Sequence, residues 1–216
     1  MLAAARKRAG GEAALAALLP KANSAKALRA VPDDRYLSLM SLRIFRAGLK
    51  HGLVDAKWPA FEEVFHGFEP ARVAAMNDED IERLMGDARV IRHLGKLRSI
   101  PANAAAMRAI SAEAGGFGAW LAAWPGADIG GLLDEMTGRF SQLGGNSGPY
   151  FLRMAGKDTY VMSPDVIKAL IGLGITAKKP TGKKDRLAVQ DAFNAWAEES
   201  GLPLCHMSMI LARSIG

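Results

Sequence analysis

Phe65-His66-Gly67-Phe68-Glu69-Pro70-Ala71-Arg72-Val73-Ala74-Ala75-Met76-Asn77-Asp78-Glu79-Asp80-Ile81-Glu82-Arg83-Leu84 and the following Ala88-Arg89-Val90-Ile91-Arg92-His93-Leu94-Gly95-Lys96-Leu97-Arg98-Ser99-Ile100, with Asn103-Ala104 beyond, decide the fold of this 216-residue chain. Apolar side chains recur in both stretches at the spacing of one helical face. Asn77, with Asp80 three positions on, makes a capped start for a helix reaching Met85. The segment from Ala88 to Ile100 should stop at Pro101, and a further helix should run to the glycine pair 115 and 116.

Outward from this centre the same spacing persists, and no segment sustains the period-two alternation of a strand. An all-α fold is therefore expected. On the N-terminal side, an Ala-rich first helix ends near Pro20. Asp33 and Asp34 offer caps for a helix carrying Leu37, Met40, Leu42, Ile44, Phe45 and Leu49, and Pro59 starts the next. On the C-terminal side, short helices are expected over Phe117 to Trp124 and Gly131 to Arg139. A glycine-dense turn, an exposed basic loop over 174 to 186 with Lys178, Lys179, Lys183, Lys184 and Arg186, and two helices from about Leu187 to Ser200 and from Pro203 onward complete the chain. The boundaries drawn are an N-terminal helical extension over 1–30, a helical lobe over 31–136, a hairpin and following helix over 137–173, and a basic loop with C-terminal helices over 174–216.

With 28 Lys and Arg against 22 Asp and Glu, the formal net charge is +6. That suits a polyanionic partner, although a basic balance by itself fits proteins that bind no nucleic acid equally well. The single cysteine, Cys205, excludes an intramolecular disulfide and an all-cysteine metal site. No apolar run reaches the roughly 18 residues of a membrane span, so no membrane association is expected and a cytoplasmic location is.

Leu143-Gly144-Gly145-Asn146-Ser147-Gly148 lies between two helical patterns. Its glycines would let backbone N–H groups at the start of the second helix approach a phosphate without a side chain in the way. The same residues also suit an ordinary turn between two helices. Asp165 follows Gly145 by 20 positions (165 − 145). Ser163 and Asp165 are open to two readings, as caps of the helix from Val166 to Leu173 or as groups facing a cleft.

Phe65 to Leu84 and Ala88 to Ile100 resemble the DNA-3-methyladenine glycosylase I family, a branch of the helix-hairpin-helix glycosylases, and the resemblance extends over roughly residues 33 to 156. It implies a helix-hairpin-helix glycosylase-like fold with two helical lobes around a cleft, and a monomer acting on double-stranded DNA that contains damaged bases. The implied reaction is hydrolysis of the N-glycosidic bond of alkylated purines such as 3-methyladenine. The alternative is a catalytically inactive helix-hairpin-helix DNA-binding protein, a damage sensor.

The family pattern is not matched everywhere. Aligning Ala47-Gly48-Leu49 puts Arg43 where the family has a glutamate and His51 where it has a stacking tryptophan. The family's cysteine and histidine zinc site has only Cys205 and His206 to draw on here, so no metal and no cofactor are expected. Aligning on Gly156-Lys157 puts Ser163 at the superfamily's aspartate, leaving Asp165 as the candidate catalytic carboxylate. Arg43, Phe45, His51, Trp58 and Tyr150 are the candidate base-pocket residues. Gly144, Gly145, Asn146, Ser147, Gly148, Lys157 and Lys96 are the candidate DNA contacts, and Arg92, His93 and Arg98 are either further phosphate contacts or a solvated helix face. Asn146 and Ser147 stand near the place of a Schiff-base lysine, so excision by water without strand cleavage is expected.

Overall fold

The structure is a computed structural model, and it describes residues 1–215. All regular structure among them is helical: α1 Leu2–Ala9, α2 Glu12–Leu18, α3 Ala25–Ala30, α4 Asp33–Arg46, α5 His51–Val64, α6 Pro70–Ala74, α7 Asp78–Gly86, α8 Leu94–Ala114, α9 Phe117–Ala123, α10 Ile129–Arg139, α11 Ser147–Ala155, α12 Pro164–Gly172, α13 Lys183–Ser200 and α14 Leu204–Ser214, with 3-10 turns over His66–Phe68 and Gly126–Asp128. The all-α expectation holds. No helix is long and apolar enough to cross a membrane.

The stretch that decided the fold behaves as its chemistry requires. Asn77 and Asp80 form the reciprocal capping box of α7, with the Asp80 amide donating to the Asn77 side chain at 3.0 Å and the Asn77 amide to Asp80 at 2.9 Å. Before it, His66, Gly67 and Phe68 all have positive φ, at 55°, 66° and 60°. Two of the three are not glycine, so the turn stores strain on the order of 1–3 kcal/mol per residue. Burial of Phe65 and Phe68 on either side holds it, their rings stacked 5.6 Å apart.

Both internal prolines differ from the expectation. Pro59 lies inside α5 and Pro101 inside α8, where each removes one i→i−4 hydrogen bond. The flanking residues supply the compensation: Phe61 next to Pro59, and Leu97, Ile100 and Ala104 around Pro101, are wholly buried in the core. The start expected at Ala88 moves to Leu94, because His93 caps α8 and Lys57 Nζ holds the preceding carbonyls of Ala88 at 2.6 Å and Arg89 at 3.3 Å.

At the N-terminus the single Ala-rich helix is two, broken where Gly10 and Gly11 take φ of 90° and 124°. Asp33 does not cap its own helix. Its Oδ1 accepts from the Phe117 amide at 3.0 Å, capping α9, while Oδ2 accepts from Ser111 of α8. The basic loop is shorter than expected, since α13 already starts at Lys183.

One large core runs from Tyr36 to Leu211 and joins every helix from α4 to α14. The N-terminal extension docks on it from outside. Ala5 and Leu15 pack on Ile210, and the Asn23 amide donates to the Gly156 carbonyl at 2.8 Å. These packings bring both ends of the chain against the region after the glycine turn.

Candidate active-site cleft and nucleic-acid interface

Helix α10, the turn over residues 140–146 and α11 form a helix-hairpin-helix. Gln142 and Gly145 take the left-handed conformation at φ 65° and 59°, and the turn is closed by bonds from the Gly148 amide to Leu143 O at 3.1 Å and from Ser147 to Gly144 O at 3.2 Å. Gly148 is required by contact: a Cβ there would sit 3.0 Å from Leu143 O and 3.3 Å from Leu133 Cδ2. Gly144 and Gly145 are exposed, and the amides of Gly145 and Asn146 meet no acceptor among the described residues. Such amides at a helix start favour an anion. The Asn146 side chain is committed elsewhere, donating to Met162 O at 3.0 Å and fastening the turn to the segment before α12.

Ser163 is the N-cap of α12, its hydroxyl accepting from the Val166 amide at 3.3 Å. Asp165 sits exposed in the first turn of that helix. It lines a cleft of about 420 Å³ with Tyr150, Arg153, Ser163, Ser208 and Arg213, and it is the one carboxylate among the lining residues. A second space of about 750 Å³ lies across the hairpin and is lined by Gly145, Asn146 and Pro149 together with Lys179, Thr181 and Arg186. Arg186 is neutralised there by Asp134 at 2.5 Å, whereas Lys178, Lys179, Lys183 and Lys184 are exposed.

The other candidate residues spread over three environments. The Arg43 guanidinium lies 4.8 Å from the centroid of the half-buried Tyr150 ring. Its Nε is buried without a partner, and burial, with Arg46 adding repulsion, holds its pKa below the usual range. Phe45 is wholly buried and packs edge-on against Phe61 at 4.7 Å, so it belongs to the core and not to a pocket wall. Trp58 likewise has its ring stacked on Phe61 at 4.9 Å and on Phe68 at 5.5 Å, and its Nε1 donates to Ser38 Oγ at 3.1 Å. Ser38 in turn donates to Glu62, which Arg35 also holds. His51 is exposed at the first residue of α5 and does not line the Asp165 cleft.

Two of the expected DNA contacts point inward. Lys96 is buried, with Nζ donating to Ala47 O at 2.6 Å and Phe45 O at 3.3 Å. Lys157 is buried as well, with Nζ on Trp124 O at 2.6 Å. Burial lowers the pKa of both, and the Arg43 charge lowers that of Lys96 further. Each ammonium closes the backbone carbonyls of a neighbouring helix end, a task a lysine in a helix pattern does not advertise. Cys205 and His206 both turn to the Pro20 carbonyl, at 3.6 Å from Sγ and 2.9 Å from Nε2, fixing the N-terminal extension.

The structure thus gathers Asp165, Tyr150 and Ser163, with Arg43 on the Tyr150 ring, and leaves Phe45, Trp58 and His51 apart from them. Three cleft residues escaped the sequence: Arg153, one turn past Tyr150 on α11, Arg213 near the C-terminus, and Arg8 near the N-terminus. Arg153 carried a signal in its i+3 spacing from Tyr150, while Arg213 is brought in by the packing of α14 on α12 and Arg8 by the packing of α1 on α14.

Residues 28–129 match the methyladenine glycosylase family. The DNA-3-methyladenine glycosylase 1 of Escherichia coli K12 is 48% identical over 74 residues, which cover 34% of this chain and 40% of that protein. The 3-methyladenine DNA glycosylase I of Staphylococcus aureus superposes with a TM-score of 0.53 at 26% identity, covering 61% of this chain and 81% of its own. The 8-oxoguanine glycosylase/lyase of Methanocaldococcus jannaschii, seen with DNA containing 8-oxoguanine, shares the fold at TM-score 0.53 and 10% identity over 87% of this chain and 83% of its own. The matched sequence spans well under two thirds of the Escherichia coli relative, and the hairpin and Asp165 lie beyond the residues that match the family.

Proposed function

We propose, from the match of residues 28–129 to the methyladenine glycosylase family, that the chain is a base-excision glycosylase that hydrolyses the N-glycosidic bond of alkylated purines, such as 3-methyladenine, in double-stranded DNA. The reading rests above all on Asp165, the one carboxylate among the described residues lining the cleft onto which the second hairpin helix opens.

The hairpin amides at Gly145 and Asn146 take a backbone phosphate, and the exposed lysines of residues 178–184 add long-range attraction. The damaged nucleotide leaves the stack and enters the cleft. An alkylated purine carries positive charge into the ground state, so the C–N bond breaks with its electron pair going to the base, which departs neutral. Positive charge then develops on the sugar, where the Asp165 carboxylate stabilises it. Water adds to the sugar carbon and its proton passes to Asp165, leaving an abasic site. Among the described residues no lysine lines this cleft, which favours a water nucleophile over a Schiff base and excision without strand cleavage. The protein acts as a monomer in the cytoplasm, without a metal or cofactor.

The experiment is release of free methylpurine from methylated duplex DNA, with Asp165→Asn alongside. A second reading, a damage-sensing DNA-binding protein without excision, is favoured by one observation: Arg43 brings a guanidinium beside Tyr150, with Lys96 adding to the positive field and no carboxylate among the described residues paired to either. Salt-sensitive binding of damaged DNA without any base release would support that reading.

A further inference from the structure

The Asp165 cleft has an unusual wall. Arg153 comes from α11, Arg213 from α14 and Arg8 from α1, and all three line the same space. None of them takes part in an ion pair among the described residues, where the other arginines of the hairpin region, Arg139 and Arg186, are matched to Glu113, Glu135 and Asp134. Among the described residues the cleft therefore holds three guanidiniums against one carboxylate.

Arg153 is the best placed. Its Nη2 donates to Ser208 Oγ at 3.1 Å, and Ser208 is fixed by bonds to both the amide and the carbonyl of Val161. The Arg153 Nε is buried and meets no acceptor. A planar guanidinium that is fixed by Ser208 and lines the cleft fits the oxygens of a tetrahedral anion. Burial lowers the Arg153 pKa from its usual range, with Cys205, Tyr150 and Asp158 opposing the shift, and a bound anion would favour the charged form further. Arg8 is held by donation to the Ser214 carbonyl, and Arg213 is exposed at the rim.

We propose that Arg153, Arg213 and Arg8 form a phosphate-binding subsite beside Asp165, occupied by a backbone phosphate flanking the extruded nucleotide. This rests on the glycosylase reading for the identity of the ligand. The space of about 420 Å³ accommodates more than a lone phosphate and lies in the range of small-molecule sites. Arg153 stands roughly 9 Å along the helix from Ser147, at 1.5 Å per residue. The hairpin amides and this subsite can therefore hold phosphates a few nucleotide steps apart on one strand, at about 3.4 Å of rise per step. Arg8 and Arg213 lie outside residues 28–129, so the ends of the chain complete the subsite.

The test is the affinity of the full chain for a duplex carrying a stable abasic-site analogue, measured against salt, for the wild type, Arg213→Ala, Arg8→Ala, Arg153→Met and Arg153→Lys. Each lost phosphate contact should lower the slope of log K against log salt by about one. Arg213→Ala should weaken binding about tenfold at fixed salt, and Arg153→Lys should bind better than Arg153→Met. Arg213 is exposed, so its variant remains informative if Arg153→Met does not fold. Unchanged slope and affinity in a folded Arg213→Ala, Arg8→Ala double variant overturn the proposal. A thermal upshift by inorganic phosphate or a nucleoside monophosphate, lost in that variant while DNA affinity is unchanged, also overturns it in favour of a free-phosphate site. Altered slopes without any base release would leave the subsite standing and sink the excision reading instead.

Discussion

The guanidinium of Arg43 rests 4.8 Å from the centre of the Tyr150 ring, joining the last turn of α4 to the second helix of the hairpin. The contact couples the α4 core to the second hairpin helix, and it does so with a desolvated cation whose Nε has no acceptor among the described residues. Cation–π attraction offers about 0.5–2 kcal/mol, and the unmet buried donor costs about 1–3 kcal/mol. Arg43→Met should therefore leave the protein equally stable or raise its melting temperature by about 2–4 °C, read by calorimetry. A clear fall would mean that the stacking outweighs the desolvation. Arg43→Glu, which puts a carboxylate near Lys96 and removes repulsion of a cationic base, should increase methylpurine release.

Asp33 links three helices through one side chain. Removing its carboxylate in Asp33→Ala strips the cap from Phe117 and the acceptor from Ser111, at a cost of about 1–2 kcal/mol. Denaturant unfolding should show the loss as a lower midpoint at an unchanged slope. No change in midpoint would show that another group takes over the cap.

Within the hairpin the glycines are not equivalent. Gly148→Ala drives a Cβ to 3.0 Å from the Leu143 carbonyl and should destabilise by about 1–3 kcal/mol while weakening DNA binding. Gly144→Ala meets nothing within 4 Å and has no positive φ, so its stability should be that of the wild type. Equal melting temperatures for the two variants would contradict the close approach of the hairpin helices.

Cys205 is buried beneath Pro20, and burial, reinforced by Asp158, pushes its thiol from 9.0 up to about 12. A folded-state value raised above the unfolded one stabilises fully below about pH 9 and loses that contribution as the pH climbs towards 12. Wild-type stability should fall more steeply over this window than that of Cys205→Ala; Tyr36 and Tyr160, also raised to about 12, contribute equally to both curves. At pH 8 a thiol reagent should label the protein only after unfolding. Rapid labelling of the native protein would contradict the packing of the N-terminal extension on α14.

The sequence was most legible where local chemistry is sufficient. The Asn77–Asp80 box, the Ser163 cap and the glycine C-cap at Gly115 are all readable from neighbours in the chain. It misled where burial overrides local preference. Pro59 and Pro101 stay inside helices because their neighbours are locked in the core, and Lys96 and Lys157 turn inward because carbonyls at helix ends await donors. Phe45 and Trp58 sit at helical spacing and are packing residues, as most such aromatics are. The cleft was the least legible part, since Arg8 reaches Tyr150 and Arg213 only through the docking of α1 on α14.

Asp165 carries the proposed chemistry, and free methylpurine released from methylated duplex DNA by the wild type and by Asp165→Asn at matched folding reads its contribution. The expected result is release by the wild type and a loss of at least about a hundredfold in the variant, corresponding to roughly 2.7 kcal/mol of transition-state stabilisation. Asp165 is exposed, so the melting temperature should not move. Equal release by both proteins, or no release by the wild type, would contradict the account.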